Sequence, residues 1–211
     1  MVVVGLSIEA SKEDMLKKLG VKDSKLLKPH QREHLAEKIE EVAKDTIILK
    51  ISPCKIDNSK KKGINLNRLE AMKFAEIINL IKPDRAIIDC PDTNCGKFKL
   101  IVKKMLDKET ELIVEHKADV NYPIVSAASI IAKVMRDEEI EKIKKKYGMR
   151  GNGYSHDEET IEWLREWLRS HKELPDFVRK SWDTTRRLLA EKKQNKLNSF
   201  FGKIKNKNKP C

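Results

Sequence analysis

Apolar positions in this chain recur with two different periods. Met1 to Ile8 is a Val-rich run closed by polar residues and reads as a strand. Ser11 then opens a short helical piece, with Ser11 as N-cap and Asp14 near N3, and Gly20 ends it. Leu35, Ile39 and Val42 recur at helical spacing, so Pro29 to Ala43 is an amphipathic helix. The β-branched run Asp45 to Ser52 is a strand, and residues 53–63 read as a polar loop around Lys60, Lys61, Lys62 and Gly63. A helix over Leu66 to Ile81 feeds Leu69, Met72, Phe74, Ile77, Ile78 and Leu80 to the core, and Pro83 stops it. Arg85 to Asp89 is short and continuously apolar, as buried strands are.

Beyond it, Pro91 to Gly96 is a turn, Phe98 to Leu106 a helix and Glu111 to Glu115 a strand. A polar turn holding Asp119 leads through Pro123 into a helix with a small-residue face that runs to Tyr147. Gly148 to Gly153 is a glycine-rich loop ending in Tyr154. Thr160 to Ser170 is a helix whose Trp163 and Trp167, one turn apart, pack the C-terminal helices, and Trp182 to Lys193 is a last helix. The remainder is polar and Lys-rich, so it reads as disordered. Strands alternating with helices through the middle imply an α/β fold with parallel strands and crossover helices.

Size and charge narrow the partners. The 211 residues suffice for one large domain, or for one domain with an appendage. Charged residues make up 37% and hydrophobic ones 39%, as in soluble globular proteins. No apolar run approaches membrane-spanning length, and the apolar opening lacks the basic leader of a signal peptide, so a cytoplasmic protein is expected. Of the formal charge of +12, seven Lys without an acid follow Glu191, which leaves +5 for the body. A basic body with a basic tail suits nucleic acid; a solvated Lys-rich surface explains the charge as well. Cys54, Cys90, Cys95 and Cys211 form no CxxC pair, and no His is spaced from them as in a zinc site.

Two acids stand at strand ends, Asp89 in Ala86-Ile-Ile-Asp89 and Asp119 just past Glu115. On adjacent parallel strands they would meet at one edge of the sheet, where α/β folds hold their sites. Paired carboxylates in a basic protein suit Mg2+ or Mn2+, and two such ions about 3.5–4 Å apart activate water against a phosphodiester. Two unrelated turn residues would look the same. The loop Gly20-Val-Lys-Asp-Ser-Lys25 can hold a phosphate through Lys22, Ser24 and Lys25, or be an ordinary turn.

That loop, Ala86-Ile-Ile-Asp89-Cys-Pro-Asp92, Glu115-His-Lys-Ala-Asp119, Tyr122-Pro-Ile-Val-Ser-Ala-Ala-Ser-Ile-Ile-Ala-Lys133 and Gly151-Asn-Gly-Tyr154 follow one another in the order and spacing of a known family. From Met1 to about Leu189 the chain resembles ribonuclease HII of the archaeal type. The resemblance implies a ribonuclease H-like mixed sheet with helices on both faces and a C-terminal helical extension. On that reading residues 1–147 form the catalytic domain, 148–193 the substrate-binding extension and 194–211 a basic tail.

It also implies a monomeric endonuclease that cuts the RNA strand of RNA–DNA hybrids and cuts at ribonucleotides embedded in duplex DNA. Such an enzyme uses Mn2+ or Mg2+ on four carboxylates. Asp89 and Asp119 match the third and fourth of these. Tyr154 matches the tyrosine that stacks on the sugar at the RNA–DNA junction, and Lys22, Ser24 and Lys25 lie in a segment that follows the substrate backbone. His116 and His156, near that site, are expected to act structurally or at the substrate edge rather than as ligands of a hard metal.

One departure matters. The family opens with a strand ending in Asp-Glu-Ala-Gly-Arg-Gly, and this sequence carries no such segment. Two carboxylates, the loop that reads the 2′-OH and a central strand are therefore expected to be missing. A start at an internal Met explains this more simply than a decayed homologue. The sequence as it stands is expected not to hydrolyse its substrate, and a non-catalytic hybrid-binding protein that docks on the sliding clamp is the alternative. In the tail, Gln194, Leu197, Phe200 and Phe201 fall on one face of a helical turn. They resemble the PIP-box, the peptide that docks on the sliding clamp (PCNA).

Overall fold

The computed structural model describes residues 1–21 and 27–194. The elements in chain order are β1 (Val2–Ser7), α1 (Glu13–Lys18), α2 (Pro29–Val42), β2 (Asp45–Lys50), α3 (Pro53–Lys61), α4 (Leu66–Ile81), β3 (Arg85–Asp89), α5 (Cys95–Lys103), β4 (Glu111–Glu115), α6 (Ala118–Asn121), α7 (Pro123–Tyr147) and α8 (Glu158–Ser170). A further helix, α9, covers 183–194. The chain divides into two compact units, Met1–Ser52 with Ser59–Glu139, and Pro53–Asn58 with the residues from Ile140 onward.

The first unit is mixed α/β. β1 and β2 pair antiparallel with Val4 opposite Ile48, and β3 and β4 pair parallel with Ile87 opposite Ile113. Among the described residues these are two separate two-stranded ladders, and α4 lies against both. The period of two along β1 explains its surroundings. Val4 and Leu6 point into a core with Leu35, Ile39 and Val42 of α2 and Ala127, Ile130 and Ile131 of α7. Gly5 faces the other way, toward α4, where a β-carbon would come within 2.1 Å of Ile77 Cγ2. Helices thus cover both faces of β1. A second core joins Ala71, Ala75 and Ile78 of α4 to Ile88, Leu112, Phe98 and Val102. Phe98 is wholly buried there, and such burial stabilises by about 1.5–3 kcal/mol.

Helix starts follow local chemistry. The Asn65 and Asn94 side chains accept from the amides of Arg68 and Lys97, which caps α4 and α5. The cap at Asn94 draws Cys95 and Gly96, expected in a turn, into the first turn of α5. Ser11 is not an N-cap: it lies inside a 3-10 turn, Ala10–Lys12, that Glu9 starts in extended conformation, and α1 begins after it at Glu13. The buried hydroxyl of Ser126 on the small-residue face of α7 donates to the Val21 carbonyl at 2.6 Å. It anchors the chain just before residue 22.

The second unit is helical. Its core gathers Met149, Trp163, Leu164, Leu168, Leu174, Val178 and Leu188, with Trp163 and Trp167 at 5.3 Å and Tyr147 and Phe177 at 4.7 Å between ring centroids. The segment expected to be a loop at 53–63 starts as a helix, α3, with buried Ile56 in its first turns. Pro53 opens that helix, and no extended apolar stripe was there to announce it. Asp57 ties it to the rest of the unit by accepting from the amides of Lys180 at 2.7 Å and Ser181 at 3.2 Å.

Candidate active site

The C-terminal edge of the β3–β4 ladder carries an acid at each strand end, Asp89 and Glu115. Asp89 is the last residue of β3, stands directly opposite Glu115 and is exposed. The ladder runs one bond further, from the Cys90 amide to the Glu115 carbonyl at 2.9 Å. After β4 the chain reverses at Lys117, whose φ of 58° is left-handed, a conformation that costs a non-glycine residue of order 1–3 kcal/mol. The reversal starts α6, and the Ala118 amide donates to Asp89 Oδ1 at 3.1 Å. Asp119, the next residue, is half-buried in the first turn of α6. The fold therefore ties Asp89 to the start of the short helix that carries Asp119.

Glu115 is a third acid at this edge. Its Oε1 accepts from Asn121 Nδ2 at 2.7 Å and its Oε2 from the Tyr122 hydroxyl at 3.5 Å. Sequence reasoning passed over Glu115 as a site residue, although it ends its strand at the same level as Asp89; the signal was the pairing of the two short strands. Asp92, in the turn behind Asp89, is held below the usual carboxylate range by the Asn67 amide at 2.8 Å and by the Asn94 backbone amide.

Asp89 and Asp119 fit a hard divalent cation in kind: both are oxygen donors, one exposed and one half-buried, at a sheet edge. They do not form a tight cluster with Glu115. Among the described residues, three metal-ligating side chains come together at Cys90, Cys95 and His116, whose donor atoms all lie within 4.8 Å of one another. Spacing along the chain pointed away from such a group, because His116 reaches the two cysteines only across the ladder. Burial, and then the neighbouring Cys95 thiol, pushes the Cys90 thiol up to about 11.

In the second unit, Tyr154 sits on a loop fixed by hydrogen bonds. Asp157 Oδ2 accepts from the amides of Thr160 at 3.0 Å and Asn152 at 3.1 Å and from the Thr160 hydroxyl at 2.6 Å, and Asn152 Oδ1 accepts from the Tyr154 amide at 3.0 Å. Gly151 makes this possible with a φ of 81°; a β-carbon there would lie 2.0 Å from Asp157 Oδ2. Tyr154 is 42% exposed, and its ring stacks on His156 at 5.6 Å. Gln194 is exposed at the end of α9. Lys22, Ser24, Lys25, Leu197, Phe200 and Phe201 lie outside the described residues.

A short parallel ladder with acids at its C-terminal edge, flanked by helices and followed by a helical unit, defines a ribonuclease H-like α/β protein. The family described as Ribonuclease HII matches residues 1–185. Ribonuclease HII of Pyrococcus furiosus is 42% identical over 209 residues, spanning 96% of this chain and 92% of that protein. The crystal structure of ribonuclease H2 from Pyrococcus horikoshii OT3 is similar with a TM-score of 0.83 at 39% identity, over 92% of this chain and 99% of that one. The ribonuclease HII of the PCNA complex from Archaeoglobus fulgidus matches with a TM-score of 0.81 at 42% identity, over 89% and 88%. The chain belongs to the ribonuclease HII family, whose members are endoribonucleases dependent on a divalent metal ion. No helix among the described residues is long and apolar enough to cross a membrane.

Proposed function

We propose that the site is that of an endonuclease that cuts the RNA strand of RNA–DNA hybrids and cuts at single ribonucleotides within duplex DNA, as a cytoplasmic monomer. The observation that carries the reading is the Ala118–Asp89 hydrogen bond, which ties Asp89 at the edge of the ladder to the residue just before Asp119. Asp89 and Asp119 are the carboxylates that would hold Mn2+ or Mg2+; such an ion supplies Lewis acidity and a bound water of lowered pKa. Tyr154 offers an exposed ring to a sugar, and the fixed loop beneath it keeps that ring in place. Lys22, Ser24 and Lys25 would follow the backbone of the substrate. Only the 2′-OH distinguishes RNA from DNA at one nucleotide, so discrimination must be made there. On this reading residues 1–147 are catalytic, 148–193 bind substrate and 194–211 dock on the sliding clamp through Gln194, Leu197, Phe200 and Phe201. The Archaeoglobus fulgidus relative, whose structure is that of a PCNA complex, supports the last assignment.

A second reading has its own observation behind it. The sequence carries two of the four carboxylates that the resemblance implies, and no Asp-Glu-Ala-Gly-Arg-Gly segment. Two ligands hold a hard cation poorly, so the 211 residues alone would bind a hybrid and the clamp without cutting. The test is a cleavage and binding assay of the 211-residue chain on a duplex with one ribonucleotide, with Mn2+ and with Mg2+, beside a form that carries Asp-Glu-Ala-Gly-Arg-Gly ahead of Met1. Binding by both with cutting by the extended form alone is the expected result. Cutting by the 211 residues alone would remove the second reading, and absence of cutting by both would remove the first.

A further inference from the structure

Cys90, Cys95 and His116 have no part in the function proposed above, yet three separate elements converge to bring them together. Cys90 prolongs β3, and its bond to the Glu115 carbonyl sets it beside His116, the first residue past β4. Cys95 is the first residue of α5, whose start is fixed by the Asn94 cap. The turn between the cysteines is held chiefly through the Asp92 carboxylate, which accepts from Asn67 on α4 at 2.8 Å and from the Asn94 amide at 3.1 Å. The Cys90 Sγ joins in, donating to the Asp92 carbonyl at 3.3 Å.

The chemistry of the donors selects the ligand. Two sulfurs and one imidazole nitrogen are soft to borderline donors, which favour Zn2+ and disfavour Mg2+ and Mn2+. Zinc holds sulfur at about 2.3 Å and imidazole nitrogen at about 2.0–2.1 Å, so in a tetrahedron its ligands stand roughly 3.5–4 Å apart. Donor atoms already within 4.8 Å of one another need only a small closure to reach that spacing. Cys90 is buried, Cys95 half-buried and His116 exposed, so the cluster opens to solvent on its histidine side. A buried Cys is by itself an ordinary small core residue; a second Cys and a His with their donor atoms turned to the same point are not needed for packing.

We propose that Cys90 Sγ, Cys95 Sγ and an imidazole nitrogen of His116 form a three-ligand site for a thiophilic divalent cation of the zinc class, with a fourth position open to water. The site is distinct from the hard oxygen pair, but it adjoins it: Cys90 follows Asp89 and His116 follows Glu115. Occupancy would clamp together the ends of β3 and β4 that carry those acids.

The test uses the full 211-residue chain, reduced and stripped of metal, titrated with Zn2+ against a chromophoric chelator and with Co2+ followed by absorption. The expected result is one tightly held Zn2+, together with a thiolate-to-cobalt charge-transfer band and the visible bands of tetrahedral cobalt. Cys95→Ser should lose the charge-transfer band and weaken Zn2+ binding by at least about 100-fold, a direct ligand costing no less than the outer-shell groups that cost 10–100-fold. Asp119→Asn should keep both. His116→Ala, at an exposed position, should shift the visible bands, and it serves in place of Cys95→Ser if that variant fails to fold. Cys54 and Cys211 remain in every variant as internal controls. Absence of a charge-transfer band, a band that survives both Cys95→Ser and His116→Ala, or loss of Zn2+ in Asp119→Asn would each overturn the site.

Discussion

The backbone amide of Ala118 donates to Oδ1 of Asp89 at 3.1 Å, so the acid that ends β3 is tied to the residue just before Asp119. This separates two roles of Asp89. Asp89→Asn keeps an oxygen to accept that bond and loses only the charge. It should fold like the parent and, in the form that carries Asp-Glu-Ala-Gly-Arg-Gly ahead of Met1, lose at least about 100-fold in Mn2+ affinity, as read by calorimetry. Asp89→Ala also leaves the amide of the wholly buried Ala118 without its acceptor, which costs a further 1–3 kcal/mol or so in a denaturant melt. Equal stability of the two variants would mean that the hydrogen bond does not hold α6 in place.

The close approach of Gly5 to Ile77 leaves no room for a side chain on β1. Gly5→Ala should destabilise the chain by about 1–3 kcal/mol through overpacking. Because the clash is with Cγ2 of Ile77, Gly5→Ala with Ile77→Ala should cost less than the sum of the two single changes. The midpoint of urea unfolding, at unchanged slope, is the measurement.

Gly151 combines a φ of 81° with a position where an added β-carbon would run into Asp157 and Thr160. Gly151→Ala should cost about 1–3 kcal/mol in the second unit and weaken hybrid binding as much as Tyr154→Ala does, since both remove a positioned ring. Hybrid binding by Gly151→Ala at parental strength would separate Tyr154 from the loop that supports it.

Acid should loosen the second unit in a defined range. Partial burial tends to raise the Asp57 carboxyl, but the Ser181 side chain, the amides of Lys180 and Ser181 and the Arg179 charge together hold it below its ordinary value. Asp157 is lowered too, first by the Thr160 hydroxyl. A depressed carboxyl binds fewer protons folded than unfolded, so its contribution is present above the unfolded value of about 3.9 and fades as pH falls through the lower folded value. Asp57→Asn should therefore be less stable than the parent by about 1–2 kcal/mol near neutral pH, with the gap closing below about pH 4. All three Trp residues, Trp163, Trp167 and Trp182, lie in this unit, so tryptophan fluorescence reads the transition.

In the tail, Phe200→Ala with Phe201→Ala should abolish binding to the sliding clamp and leave hybrid binding unchanged. Pull-down on the clamp and a gel shift with a hybrid check the two halves of that statement. Clamp binding by the double variant would mean that the four-residue pattern is not the docking peptide.

What could be read from the sequence was whatever repeats locally. The strand at 85–89 and the helices at 66–81 and 123–147 were plain because their apolar spacing is regular and Pro or polar residues bound them. The pair Asp89 and Asp119 was legible as a pattern of strand ends. α3 was not, since a nine-residue helix with one buried side chain leaves little periodic signal. Nor was the group of Cys90, Cys95 and His116, or the standing of Glu115 beside Asp89. Both depend on which strand pairs with which, and in what register, and that is settled by tertiary packing.

Neighbouring residues of α4 serve different ladders: Ile77 abuts Gly5 on β1, while Ile78 belongs to the core around Ile88 on β3. No strand hydrogen bonds join the ladders among the described residues, and this helix packs against both. Native-state hydrogen exchange should then find the β1–β2 and β3–β4 amides opening as one event in the parent chain. They should open as two events, at different denaturant concentrations, once Ile77 or Ile78 is trimmed to Ala.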